Sequence, residues 1–151
     1  MTTTLRKKLT TAISIGLAGI TLAACSGSDK DTSASSDTIH VGILQFMEHV
    51  SLTDAKEGFI KELEDSGLDI VFEEMNAQGD QSNLQSMSEQ LSSNNDVTLA
   101  IATPAAQSLA LAESENPILF TAVTDPKDSG LVDSNEVPGG NLTGTSDMVP
   151  I

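Results

Sequence analysis

The sequence predicts an α/β domain, a Rossmann-like parallel sheet with helices flanking both faces. Three observations lead there. Four aliphatic, β-branched runs recur after residue 38, and a helix-patterned run separates each from the next. The order β-α-β-α-β-α-β at such short spacing implies right-handed crossovers and parallel strands. With no Trp, no Tyr and four Phe, the core must be mostly aliphatic.

The first strand covers residues 39–46 (IHVGILQF). Ser51 or Thr53 is expected to cap the helix that follows. Its apolar stripe is Ala55, Phe59 and Leu63, with Ile60 alongside. Lys56, Glu57, Lys61, Glu62 and Glu64 fall on the wet face, and Gly67 stands just past the helix end. Residues 68–75 (LDIVFEEM) read as a second strand. Asp80 or Ser82 opens a second helix with the stripe Leu84, Met87 and Leu91, and residues 92–95 (SSNN) end it.

Residues 97–102 (VTLAIA) form the third strand. Thr103 is expected as N-cap of a third helix, with Pro104 at its first position and the helix running to Glu113. Residues 117–123 (PILFTAV) are the fourth strand. Turn signals follow at Asp125-Pro126, Gly130 and Pro138-Gly139-Gly140. Residues 141–147 begin another extended segment, and the sequence then stops at Ile151 without a closing helix.

The N-terminus is of another kind. Arg6, Lys7 and Lys8 precede an apolar run over residues 9–24, and Leu22-Ala23-Ala24 leads into the only cysteine, Cys25. Basic region, apolar region and small residues before a cut are the parts of an export signal. Leu-Ala-Ala-Cys resembles the bacterial lipobox, in which the thiol takes a diacylglycerol and becomes the mature N-terminus. A membrane-spanning anchor, a plain secretory cut near Ala24 and a free thiol at Cys25 are the alternatives. The run is shorter than the ~20 residues a spanning helix needs and is diluted by Thr10, Thr11, Ser14 and Thr21. A single cysteine cannot form a disulfide within the chain. Residues 25–37 then read as a polar, flexible tether carrying lipidated Cys25. The expected organisation is a signal peptide at 1–24, the tether at 25–37, a lobe at 38–140 and the start of a crossover at 141–151.

After Cys25 the chain has four lysines against 22 acidic residues, a charge of −18. Such a surface repels phosphate backbones, which excludes nucleic acid as a partner, and it does not attach to anionic lipid by charge. Membrane attachment therefore rests on the lipid, and several acyl chains hold where one is marginal. Nucleotide-binding glycine motifs and the Gly-x-Ser-x-Gly elbow are absent. Glu73 and Glu74, adjacent on a strand, point to opposite faces. No catalytic set, metal site or cofactor is expected.

Five segments in order carry a family resemblance: VGILQFMEHVSLTDAKEGFIKEL, NAQGDQSNL, AIATPAAQSLA, ILFTAVTDP and PGGNLTGTSDMVP. The chain is similar to the substrate-binding lipoproteins of ABC importers, in the group that binds tryptophan and tyrosine. The resemblance implies the first lobe of a two-lobe, type I-like periplasmic-binding-protein clamshell, from a chain that is expected to be truncated. It also implies an aromatic or apolar amino acid as ligand, an ABC permease as partner and a lipid anchor on the extracytoplasmic face of the cell membrane. A lipid-anchored ligand-sensing domain without a transport role is the alternative. An extracellular enzyme on the same fold is a third reading, and it lacks a nucleophile–base pair.

Ligands of such sheets bind beyond the carboxyl ends of the strands. Position and resemblance together make Gln45 a cleft-lining residue and Phe46 an aromatic face for the ligand, with a plain core role as the alternative for Phe46. Glu48, with His49, forms a polar rim or only an exposed loop. Thr103, Ala105 and Ala106 open a helix whose N-terminal amides suit a carboxylate, with small side chains allowing close approach. An ordinary capped helix would look the same. Thr124 and Asp125 end the fourth strand, where Asp125 pairs with an ammonium group or merely starts a turn. Asp147, on the presumed crossover, is the last candidate. A lone lobe cannot close, so weak or absent binding is expected of this chain by itself.

Overall fold

The computed structural model describes residues 38–147. The signal, tether and Cys25 assignments lie outside the described residues, as do residues 148–151. Eight elements follow one another: β1 (Ile39–Gln45), α1 (Val50–Asp65), β2 (Ile70–Asn76), α2 (Gln81–Asn94), β3 (Val97–Ile101), α3 (Thr103–Ala112), β4 (Ile118–Val123) and β5 (Leu142–Ser146). The five strands form one parallel sheet in the order β2-β1-β3-β4-β5. Four strands and three helices match the expected order. Residues 142–146, expected as the start of a crossover, pair with β4 as an edge strand of this lobe.

The chain runs from β1 to β2 in one direction across the sheet and then reverses. Right-handed crossovers therefore place α1 on one face and α2 with α3 on the other. Side chains of each strand alternate between two cores. Leu44, Ala100, Ile118, Phe120 and Leu142 meet Leu84 and Leu91 of α2 and Ala105, Ala106 and Leu109 of α3. Val41, Ile43, Leu99 and Ile101 face the other way, toward Leu52, Phe59, Ile60 and Leu63 of α1. The first core is tighter. Helices α2 and α3 each bury three residues there, whereas no residue of α1 is fully buried. Each fully buried leucine or isoleucine contributes roughly 1.5–3 kcal/mol.

Two helix starts differ from expectation. The N-cap of α1 is His49, whose Nδ1 accepts from the Ser51 backbone N–H at 3.2 Å. Its carbonyl takes the N–H groups of Leu52 and Thr53, so the helix starts one turn ahead of Thr53. The N-cap of α3 is Ala102, not Thr103. The α2 start follows expectation: Asp80 accepts from the backbone N–H and the hydroxyl of Ser82. Those two bonds hold the Asp80 carboxyl below its ordinary value, the hydroxyl contributing most. At the end of α1, Gly67 takes φ +76°, the left-handed conformation that closes a helix without a Cβ penalty.

Candidate ligand-binding site

Strand order reverses at β1, whose neighbours are β2 and β3. The connections leaving β1 and β3 depart to opposite faces, which opens a crevice beyond their carboxyl ends. Residues 46–49 line it from β1 and residues 102–104 from β3. Residues 76–79 flank it after β2, while Thr124, Asp125 and Asp147 stand beyond β4 and β5.

The β1–α1 loop is held by side chains that sequence reasoning assigned to the ligand. Gln45 is 2% exposed. Its Nε2 donates to the Met47 carbonyl at 2.8 Å and reaches Thr53 Oγ1 at 3.4 Å. At that burial Gln45 does not line an open cleft, and its Nε2 is spent inside the loop. Glu48 is exposed, yet both of its oxygens are engaged. Oε1 accepts from the Thr53 hydroxyl at 3.0 Å and Oε2 from Asn76 Nδ2 at 3.1 Å. Phe46 is half-buried against the α2–α3 core, so it serves packing and edge together.

Backbone bonds weld this loop to the next. Ala77 N–H donates to the Gln45 carbonyl at 2.9 Å and Gly79 N–H to the Phe46 carbonyl at 2.8 Å. Gly79, at φ +75°, completes the tight β2–α2 turn, and the Met47 methyl lies over it. Met47 is 40% exposed. The result is a ledge across the tops of β1 and β2, with Phe46 and Met47 as its apolar surface.

The opposite wall is the start of α3. Ala102 has φ 83° and ψ 153°, a region essentially reserved for glycine. Its N–H is tied to the Thr121 carbonyl at 3.0 Å. Its carbonyl takes the N–H of Ala105 at 3.1 Å and of Ala106 at 3.2 Å. Pro104 has no N–H to offer. The open donors of the first turn thus reduce to the amide and hydroxyl of Thr103, which is half-buried. Ala105 and Ala106 are fully buried in the core beneath. Their side chains do not face the crevice; their smallness lets α3 sit close on the sheet.

Beyond β4, Thr124 is exposed, and its carbonyl accepts from the Ser146 hydroxyl at 3.1 Å. Asp125 Oδ1 accepts from the Asp128 N–H at 3.0 Å, and its carbonyl takes the Ser129 N–H at 2.9 Å. The turn-forming role of Asp125 is thus realised through one oxygen, and the other carries no hydrogen bond among the described residues. Asp147 is exposed, with its N–H on the Val123 carbonyl at 3.1 Å. Among the described residues no cluster of three or more His, Cys, Asp and Glu could hold a metal. A hollow of about 310 Å³ lined by Phe120, Pro126, Val132 and Gly144 lies beside β5, lateral to the crevice.

Sequence reasoning took in Met47 and Asn76 only as members of strand-end segments and singled out neither, and it placed Ala102 in the third strand, not at the start of α3. Met47 sits between two residues that were singled out, so position alone could have found it. The Asn76–Glu48 contact spans 28 positions and leaves no local trace.

Residues 40–151 match the family model described as ABC transporter substrate binding protein. A tyrosine-binding protein of Clostridioides difficile (strain R20291) is 41% identical over 158 aligned residues, which take in 96% of this chain and 46% of that protein. The chain thus spans about half the length of the curated relative it matches. An ABC domain from Streptococcus pneumonia, solved in complex with L-Trp, superposes with a TM-score of 0.71 at 42% identity, over 74% of this chain and 39% of that one. The ligand-free, open structure of a substrate-binding protein with adhesive properties from Clostridium difficile gives 0.73 at 41%, over 75% and 40%. A conserved domain protein of Vibrio cholerae gives 0.70 at 38% identity, over 74% and 40%. With three-quarters of its length inside the family model and its sheet superposed on these domains, the chain belongs to the ABC transporter substrate-binding protein family.

Proposed function

We propose that this chain is the N-terminal lobe of a lipid-anchored, extracytoplasmic substrate-binding protein that captures an aromatic or other apolar amino acid for import. One observation carries the reading. The crevice sets the open amide and hydroxyl of Thr103 opposite an apolar ledge of Phe46 and Met47. A helix start suits a carboxylate, and the ledge suits an apolar side chain. The free oxygen of Asp125 is the group for the ammonium. The tyrosine-binding and L-Trp-bound relatives support this ligand class.

Ligand that bridges two lobes favours the closed form, and a permease reads that form. One lobe supplies about half the contacts, so its own affinity is weak, on the order of millimolar. Cys25 is the anchoring residue, placed by its thiol at the end of the export signal.

Uptake of radiolabelled tryptophan and tyrosine by a deletion strain tests the transport role. Loss of uptake, restored by the intact gene, is the expected result. Unchanged uptake would overturn import and leave the sensing role. Intact mass of the membrane-extracted protein tests the anchor, which requires residues 1–24 absent and a lipid adduct on Cys25.

A further inference from the structure

The β1–α1 loop, residues 46–49, carries one sulfur side chain at the crevice edge. Met47 is the apex of that loop, and its side chain is 40% exposed, beside the half-buried ring of Phe46. An exposed thioether at a loop apex is ordinarily mobile. Here the loop beneath it is fixed from four sides. Gln45 Nε2 holds the Met47 carbonyl, Thr53 and Asn76 hold the two oxygens of Glu48, and Gly79 N–H holds the Phe46 carbonyl. Gly79 lacks a side chain where the Met47 methyl passes, at 3.8 Å from the point a Cβ would occupy.

We propose that Met47 is a specificity-determining contact for the ligand's aromatic side chain, and that Gln45 and Glu48 are positioning residues that hold it there. A thioether is polarizable and unbranched, and it packs against aromatic edges more favourably than an aliphatic group of the same volume. Gln45 Nε2 and both Glu48 carboxylate oxygens are already engaged, so the two residues act on the ligand through the loop. The inference rests on the amino-acid reading of the crevice.

Nuclear magnetic resonance of the full chain, carrying ¹³C-methyl methionine and ¹⁵N amides, separates the two. L-tryptophan is added to its solubility limit. The Met47 methyl and the Thr103 amide should shift along one saturation curve, while the other four methionine methyls stay in place. Movement of Thr103 with Met47 stationary would overturn this inference and leave the amino-acid reading intact. Neither moving would overturn both. Met47→Ala should weaken tryptophan binding roughly two- to tenfold and alanine binding not at all. Glu48→Ala should reduce the Met47 shift and the affinity without lowering thermal stability. Glu48→Gln should restore them, because an amide can accept from Asn76 and donate to Thr53. An equal loss with Glu48→Gln, or a lowered melting temperature in both, would reduce Glu48 to a structural residue.

Discussion

Gly144 on β5 lies directly against Phe120 on β4, with which it is paired in register. A β-carbon at 144 would overlap the Phe120 carbonyl oxygen and stand 2.7 Å from its ring. Phe120 is 4% exposed and fills the α2–α3 core, so it has no room to retreat. The sheet can take β5 only because this residue has no side chain. Just beyond the pair the β4–β5 register shifts, and Ala122 adopts φ 55°. Such a bulge turns the strand end and aims Thr124 and Asp125.

Gly144→Ala should therefore destabilise the lobe by about 1–3 kcal/mol, the cost of forcing extra volume into a packed site. Urea unfolding monitored by circular dichroism measures it. The neighbouring Gly140, with open space around its Cβ position, should tolerate alanine far better.

Ala102 carries the opposite expectation. Its φ of 83° with ψ 153° strains any residue that has a Cβ. Ala102→Gly relieves that strain and loses part of the gain to the greater freedom of the unfolded chain. A net stabilisation of about 1 kcal/mol is expected in the same unfolding assay.

Asn95 ties α2 to the sheet. It is 6% exposed, and its Nδ2 donates to Glu73 Oε2 and to the Leu91 carbonyl, both at 2.9 Å. Asn95→Ala should cost roughly 1–3 kcal/mol, since two acceptors lose their donor. Hydrogen exchange should show the loss concentrated at the C-terminal turn of α2.

Two carboxylates make stability depend on acid. Asp80 is lowered by the Ser82 hydroxyl and backbone, and Glu113 chiefly by the Glu115 backbone N–H, with Asn116 adding to it. Their folded values lie below the unfolded ones. Each contribution is thus fully present above the ordinary carboxylate range and is lost as pH falls through the lowered folded value. Stability should decline below about pH 4, and Asp80→Asn should make that decline shallower.

The elements were legible because each carries its own period. Leu84 and Leu91 mark the buried stripe of α2, and residues 39–45 and 97–101 are rich in β-branched and aliphatic residues. The helix starts were less legible. His49 caps α1 through a ring nitrogen, which capping preferences do not feature, and Ala102 caps α3 only because the tertiary structure forces its φ. The site divided in the same way. The crevice edge followed from strand ends: Glu48, Thr103, Thr124 and Asp125 stand just past β1, β3 and β4, while Asp147, expected on a crossover, follows β5. Gln45, Ala105 and Ala106 turned inward, because burial depends on which face of the sheet is covered and by what. Residues 142–146 were legible as an extended segment, but their pairing with β4 was not, since a polar, glycine-containing edge strand has little apolar pattern.

Equilibrium dialysis of the full chain against radiolabelled L-tryptophan asks whether this lobe carries half of an amino-acid cleft. Binding is expected with a Kd on the order of millimolar, displaced by tyrosine and phenylalanine and not by lysine. Sub-micromolar binding would show a complete site within one lobe and contradict the account. Absence of binding at the solubility limit, or equal displacement by lysine, would contradict the assignment of the crevice to an apolar amino acid.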